Sequence, residues 1–494
     1  MAFFKNGGGS AMLRVLLKVF ILVFTLLVLN ACSSMFLGYE EENKNKIYSL
    51  DTKDCELLTK KELKYSKENV LEKIKDPLYN GNYYGYQAFL CKSYKDSIKL
   101  FDFVEDGYKD KDEKNILLKI GEGVLEGLFN DNITDYSGQY YEKMLTNTYK
   151  SMSYLALGEY DEAGVEIKRA LDRQKRNKEE FESDILSELN YLQQKPRESN
   201  EVIDIINNSV PIPAYKSYAN YSNPFVSYFS ALYYILDGRS NNSIDLLKEV
   251  YSQENDLLFY QDYELAKNNF NTKRIANKIK KGMQISKTNK YIWVIYENGK
   301  SKSLKEFNLS LPIVFIKKND NDIDYKIPFG NEKYSVYANQ LAVSSLVFSI
   351  AILGDSSDAY PFIMANNQKT RLLSDMDKII GAEYKATLIP RISKSFLRAI
   401  TKTMISVKAN KENLYSGIGV DLVNNLLNHS DIRYFIGLPK NYQAIRIANS
   451  GSINIASPNS QTLFSQELDI NKHYVILVKI PTIGTEYITI FEER

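Results

Sequence analysis

The chain has 494 residues, 44% hydrophobic and 25% charged, which excludes a disordered polymer and leaves room for two or three domains. Lysine and arginine (63) nearly balance aspartate and glutamate (61), for a net charge of +2, and loss of Lys5, Arg14 and Lys18 with an N-terminal leader takes this to about −1 (+2 less 3). Such a balance gives no overall field to attract nucleic acid, which is therefore not expected as a partner.

The N-terminus reads as a secretory leader. Lys5, Arg14 and Lys18 supply positive charge, an apolar run follows from Val19 to Leu29, and Leu29-Asn30-Ala31-Cys32 comes next. The run is 11 residues, too short for a hydrocarbon core that needs about 20. Leu-Asn-Ala-Cys resembles a lipobox, with Leu29 at the apolar position, Ala31 at the small one and Cys32 as the acylated residue. Residues 1–31 are then the signal peptide, from Met1 or from Met12, whose Met-Leu-Arg-Val-Leu-Leu-Lys opening is tidier. Ser33 after the cysteine points to the outer membrane on its periplasmic side, or to the cell membrane where no outer membrane exists. After lipidation only Cys55 and Cys91 remain, and they either form a disulfide or stay separate buried thiols.

Residues 32–50 are polar and read as a lipidated tether. Residues 51–285 read as helical, most clearly around Leu157-Gly158-Glu159-Tyr160. Gly158 permits a left-handed helix end, Tyr160 is expected to fill the angle between two helices, and Ala163 lets them approach. Ile167 and Ala170 continue the apolar face. This pattern resembles a tetratricopeptide repeat. A second copy places Ala231, Tyr234, Gly238, Ser243, Leu247 and Val250 in equivalent positions, and a weaker third has Ala88, Tyr94, Ser97, Phe101 and Val104 without the turn glycine. Helical repeats of this kind stack into a curved surface that binds peptides or proteins.

From 286 to 494 a mixed domain is expected. Tyr291 to Tyr296 is β-branched and aromatic, Glu297 to Lys300 reads as a turn, and Phe307 to Pro312 as its partner strand. Tyr334 to Leu341 and Leu346 to Leu353 read as extended. A helix over Leu373 to Val407 carries Arg391, Lys394, Arg398 and Lys402 off its apolar face, a basic stripe that reads as solvated surface. The end is β-rich, with strands at Ala444 to Ile447, Ser452 to Ile455, His473 to Val478 and Glu486 to Phe491, suggesting a small sandwich-like lobe.

Leu155 to Ala163, Asn223 to Tyr228, Tyr296 to Gly299, Asp375 to Ile380, Leu388 to Arg391 and Leu438 to Asn441, in that order, together resemble an uncharacterised family of bacterial lipoproteins with tetratricopeptide-like repeats. The resemblance implies cell-envelope work, since its members are associated with lipoprotein activators of penicillin-binding proteins. It implies no activity, cofactor or metal.

Familiar catalytic patterns do not occur. Gly299-Lys300-Ser301 lacks the upstream glycine of a phosphate loop, position 294 being Val294, and His429 and His473 each stand away from the cysteines and from one another. Among the carboxylates, Asp375 and Asp377, which Glu383 follows, would project about 200° apart on a helix, and Asp375 reads as a helix N-cap or a first-turn acid favoured by the dipole. The expectation is an α+β protein in which a helical repeat array precedes a mixed domain with a β-rich end. It would work as a lipid-anchored scaffold, not an enzyme, that binds envelope proteins without a cofactor. The alternatives are an envelope enzyme that uses C-terminal carboxylates on glycan or peptide, and a structural subunit of an envelope machine.

Overall fold

The helices come in hairpins, closed by turns of one geometry. The computed structural model describes residues 47–50, 55, 77–118, 136, 138–193, 200, 203–205, 222–317, 323–327, 340–409 and 430–494. Cys32, His429, residues 334–339 and the side chains of Arg391, Lys394, Arg398 and Lys402 lie outside what is described. Helix α1 (Pro77–Leu90) turns into α2 (Tyr94–Leu118), α3 (Tyr140–Ala156) into α4 (Tyr160–Gln193), and α5 (Pro224–Leu236) through a 3-10 turn into α6 (Ile244–Glu254), with α7 (Leu257–Lys267) following. At each hairpin an amide reaches back five residues: Ser93 to the Ala88 carbonyl at 2.8 Å, Glu159 to Tyr154 at 3.0 Å and Arg239 to Tyr234 at 2.8 Å. That closure requires a left-handed residue just before the donor. Gly158 (φ +77°) and Gly238 (φ +74°) supply it, and in the first hairpin Lys92 does so at φ +60° without the freedom of glycine.

The positions read as repeat packing are inside. Ala163, Ile167, Ala170, Ala231 and Leu247 are all fully buried. Tyr160 differs from expectation. It is partly exposed, and its hydroxyl donates to the Glu492 carbonyl at 2.7 Å, so it reaches the last strand and does not fill the hairpin. Buried Lys150 on α3 ties the hairpins together, lying 2.6 Å from Asp102, 2.8 Å from Glu105 and 2.8 Å from Glu166.

The strands are β1 (Tyr291–Asn298), β2 (Leu304–Lys317), β3 (Ile323–Lys326), β4 (Gln340–Leu353), β5 (Met364–Ala365), β6 (Gln368–Lys369), β7 (Arg371–Asp375), β8 (Asn441–Ala448), β9 (Ser452–Ala456), β10 (Thr462–Glu467), β11 (Tyr474–Thr482) and β12 (Thr485–Glu492). A five-stranded sheet has the order β12-β11-β1-β8-β7. β1 runs parallel to β11 and antiparallel to β8. Every residue of β1 is buried, as a strand covered on both faces requires.

Two expectations fail here. Phe307 to Pro312 is not the partner of β1: it lies in β2, which pairs with β3 and β4. The reason is that both edges of β1 are taken by strands from the chain's end, while alternating Leu309, Leu311, Ile313 and Phe315 turn one face of β2 onto α8 (Met376–Ala409), where Tyr384, Leu388, Ile392 and Phe396 complete a second core. Nor are the last strands a lobe of their own. β8 and β11 flank β1 and β12 pairs with β11, while β9 and β10 lie in a separate sheet, β10-β9-β5-β6, and β3-β2-β4 form a third. Residues 373–375, expected to open the helix, belong to strand β7, and Glu297 and Asn298, expected in a turn, end β1. Leu50–Arg494 forms one compact unit of mixed helix and sheet across residues 285/286. Among the described residues no helix is long and apolar enough to cross a membrane.

Candidate functional site

The sheet lies against the first helix of each hairpin. Phe225 on α5 stacks on Tyr442 of β8 with ring centroids 3.7 Å apart, and Phe229 meets Phe491 of β12. Tyr86 on α1 and Tyr149 on α3 both donate to the carboxylate of Glu297 on β1, Tyr149 at 3.0 Å, and Tyr149 also shares a 2.8 Å hydrogen bond with Tyr442. Lys479 on β11 completes the cluster, 3.2 Å from Glu297, and donates a further bond to the Gly437 carbonyl. Glu297 and Lys479 are essentially inaccessible to solvent. Burial pushes the Lys479 ammonium below its usual range, with Glu297 opposing, and burial beside Glu297 holds the Tyr86 and Tyr149 phenols protonated.

Other buried carboxylates serve the same joint. Glu142 on α3 accepts from Tyr136 and from the Phe435 amide, both at 2.7 Å, and burial pushes its pKa up to about 8. Glu383 on α8 accepts from the Tyr140 amide at 2.9 Å, capping the start of α3. Asp262 on α7 holds Arg446 of β8 at 2.7 Å and accepts from Tyr228 at 2.6 Å. His473 is used up as well: its Nδ1 accepts from the Tyr291 amide at 3.0 Å, and burial pushes its pKa down to about 4. Cys55 and Cys91 are joined as a disulfide with Cα atoms 5.5 Å apart, fastening residue 55 to the end of α1.

A polar rim occupies the sheet end where β1 and β7 finish and β8 begins. Asn298 accepts from Tyr296 at 2.7 Å and from the Ala359 amide at 2.9 Å, and donates to Asp358 at 2.9 Å. Lys440 pairs with the other oxygen of Asp358. Asp375 turns back on its own chain to accept from the Asp377 amide at 2.9 Å, the cap of α8. Asp377 is different. Ser356 donates to its Oδ2, while Oδ1 is buried and accepts no hydrogen bond among the described residues. Burial pushes this carboxyl up, Ser356, Lys302 and Lys440 pull it down, and Asp375 pushes it up. Asp375 is thus committed to the helix cap, while Asp377 keeps one buried carboxylate oxygen without a hydrogen bond.

Sequence reasoning missed Glu297, Lys479, Glu142, Asp262 and Arg446. A signal existed for two of them. Lys479 interrupts Tyr-Val-Ile-Leu-Val-Lys-Ile and Arg446 interrupts Ala-Ile-Arg-Ile-Ala, and a cation inside an apolar strand implies a buried anion from elsewhere. Among the described residues no group of three or more His, Cys, Asp or Glu is placed to hold a metal ion. No protein-family model, curated protein or solved structure matches the chain.

Proposed function

We propose that the chain is a lipid-anchored cell-envelope protein that works by binding partner proteins, with hairpins α1–α2, α3–α4 and α5–α6 forming a degenerate tetratricopeptide-like array. The observation that carries this reading is the use made of the buried carboxylates. Glu297, Glu142, Glu383 and Asp262 each bridge a helix to a distant strand, loop or helix. Charges committed to such contacts stiffen a frame, which suits a scaffold. The face that such an array usually offers to a peptide is filled here by the chain's own strands, through Phe225 on Tyr442 and Tyr149 on Glu297. Partners therefore meet the outer faces of the hairpins, where Val165 of α4 is 48% exposed. The lipobox-like Leu29 to Cys32 and the lipoprotein resemblance support the anchor.

Asp377 favours one other reading, an envelope enzyme acting on glycan or peptide. Complementation of a deletion strain separates the two. Asp377→Asn, which keeps shape and the Ser356 contact, should complement as wild type does, and Val165→Glu should not. A folded Asp377→Asn protein that fails, together with substrate cleavage by wild type alone, would replace the scaffold by the enzyme. Cys32→Ser should lose palmitate labelling and remain an unprocessed precursor; retained label would remove the anchor from the proposal.

A further inference from the structure

Overall charge balance hides a strong local imbalance. Residues 265–296 contain no acid and eight lysines and arginines. Lys267 pairs with Glu264 and Lys290 with Glu493. The other six, Lys273, Arg274, Lys278, Lys280, Lys281 and Lys287, form no ion pair among the described residues, and all but Lys280 are exposed.

The backbone that carries them is pinned. Ile275, Ile279 and Met283 are buried at every fourth position, and the Gln261 side-chain amide donates to the Ile279 carbonyl at 2.8 Å and the Lys281 carbonyl at 3.2 Å. With the apolar residues turned in, the cations between them turn out. Ile285, 54% exposed, stands between Lys281 and Lys287.

We propose that this segment is an electrostatic docking surface for an anionic phospholipid bilayer. Charge complementarity selects the occupant. Clustered cations are drawn to an anionic leaflet within a Debye length of about 10 Å. Lysine, five of the six here, is a compact point charge suited to a fluid array of phosphates, and Ile285 adds an apolar contact at the headgroup boundary. Nucleic acid would call for arginine forks and exposed aromatic faces, whereas the aromatic residues of this segment, Phe270, Tyr291, Trp293 and Tyr296, are all buried. The inference deepens the lipid-anchored reading by giving the folded part its own contact with the membrane, independent of acylation.

The test uses the unacylated full chain made without lipidation enzymes, with co-sedimentation on vesicles of phosphatidylcholine alone and of phosphatidylcholine mixed with phosphatidylglycerol. Binding to the neutral vesicles serves as the baseline for the apolar leader. Wild type should prefer anionic vesicles by at least about tenfold and lose that preference as salt rises from about 0.05 M to about 0.5 M. A variant with Lys273→Glu, Arg274→Glu, Lys278→Glu and Lys281→Glu should show no preference. A control with Lys95→Glu, Lys99→Glu, Lys168→Glu and Lys175→Glu, of equal net charge, should keep it. Should the Glu variant fail to fold by circular dichroism, glutamine at the same four positions reads the same effect. Undiminished preference in the variant, equal loss in the control, or stronger binding of wild type to single-stranded DNA than to the vesicles would each overturn the proposal. Palmitate labelling reads the anchor separately, so either can fail alone.

Discussion

Removing the charge of Lys479 should uncouple the helices from the sheet. Lys479→Met keeps the length of the side chain and deletes the ammonium, leaving Glu297 as a buried anion held only by the Tyr86 and Tyr149 hydroxyls. Stranding one partner of a buried ion pair costs about 3–5 kcal/mol. That is a large part of a domain stability of about 5–15 kcal/mol. Glu297→Gln alone strands the cation instead, with the Gly437 carbonyl as its remaining partner. In the double variant no charge is buried, and the Gln carbonyl still accepts from the tyrosines, so the loss should fall to about 1–2 kcal/mol. The double variant is therefore expected to be more stable than Lys479→Met by about 2 kcal/mol. Urea denaturation followed by fluorescence reads this directly, because the protein's one tryptophan, Trp293, is buried in β1, the strand that carries Glu297. Additive losses, or a Lys479→Met variant within about 0.5 kcal/mol of wild type, would refute the account.

Glu142 should give the protein a pH dependence of unusual sign. Its pKa is about 8 in the folded state against an ordinary 4.5, so the folded state holds a proton that the unfolded chain has lost. Its contribution to stability is full below 4.5 and declines as pH rises toward about 8. Glu142→Gln should flatten that decline between pH 5 and pH 8, and an unchanged slope in urea melts would count against the assignment. At the hairpin turns the signs should oppose. Gly158→Ala should cost about 1 kcal/mol, because a Cβ there meets nothing and only the left-handed backbone is penalised. Lys92→Gly should stabilise by about 0.5–1 kcal/mol, and destabilisation on melting would show that the turn is not strained. Reducing the Cys55–Cys91 disulfide, which spans a sequence separation of 36, should cost roughly 3–4 kcal/mol. Full thiol alkylation of the native protein without reductant would show that no such bond forms.

Much of the local structure was legible. Gly158 and Gly238 announced their hairpins because few residues other than glycine readily take a positive φ, and the first hairpin was harder to read because Lys92 takes it anyway. The β-branched run of β1 and the helical spacing of α8 were equally plain, since both follow from side chains that are neighbours in sequence. Pairing was not. Periodicity marks which face of a strand is apolar but not which strand lies beside it, so β2 was assigned to β1 when β8 and β11 hold those edges. The rim was half legible: Asp375 as a cap followed from its place before a helix, but the exposure of Asp377 to Ser356 depended on a loop 21 residues away.

By itself the sequence determined the helical hairpins and the strand content, both matters of order along the chain. Tertiary structure alone decided what the charged residues inside the strands are for. Lys479 inside an apolar strand implies a buried anion, but which one is decided only when folding brings together residues 182 positions apart. Only the removal of water around both makes their attraction strong and their separation costly.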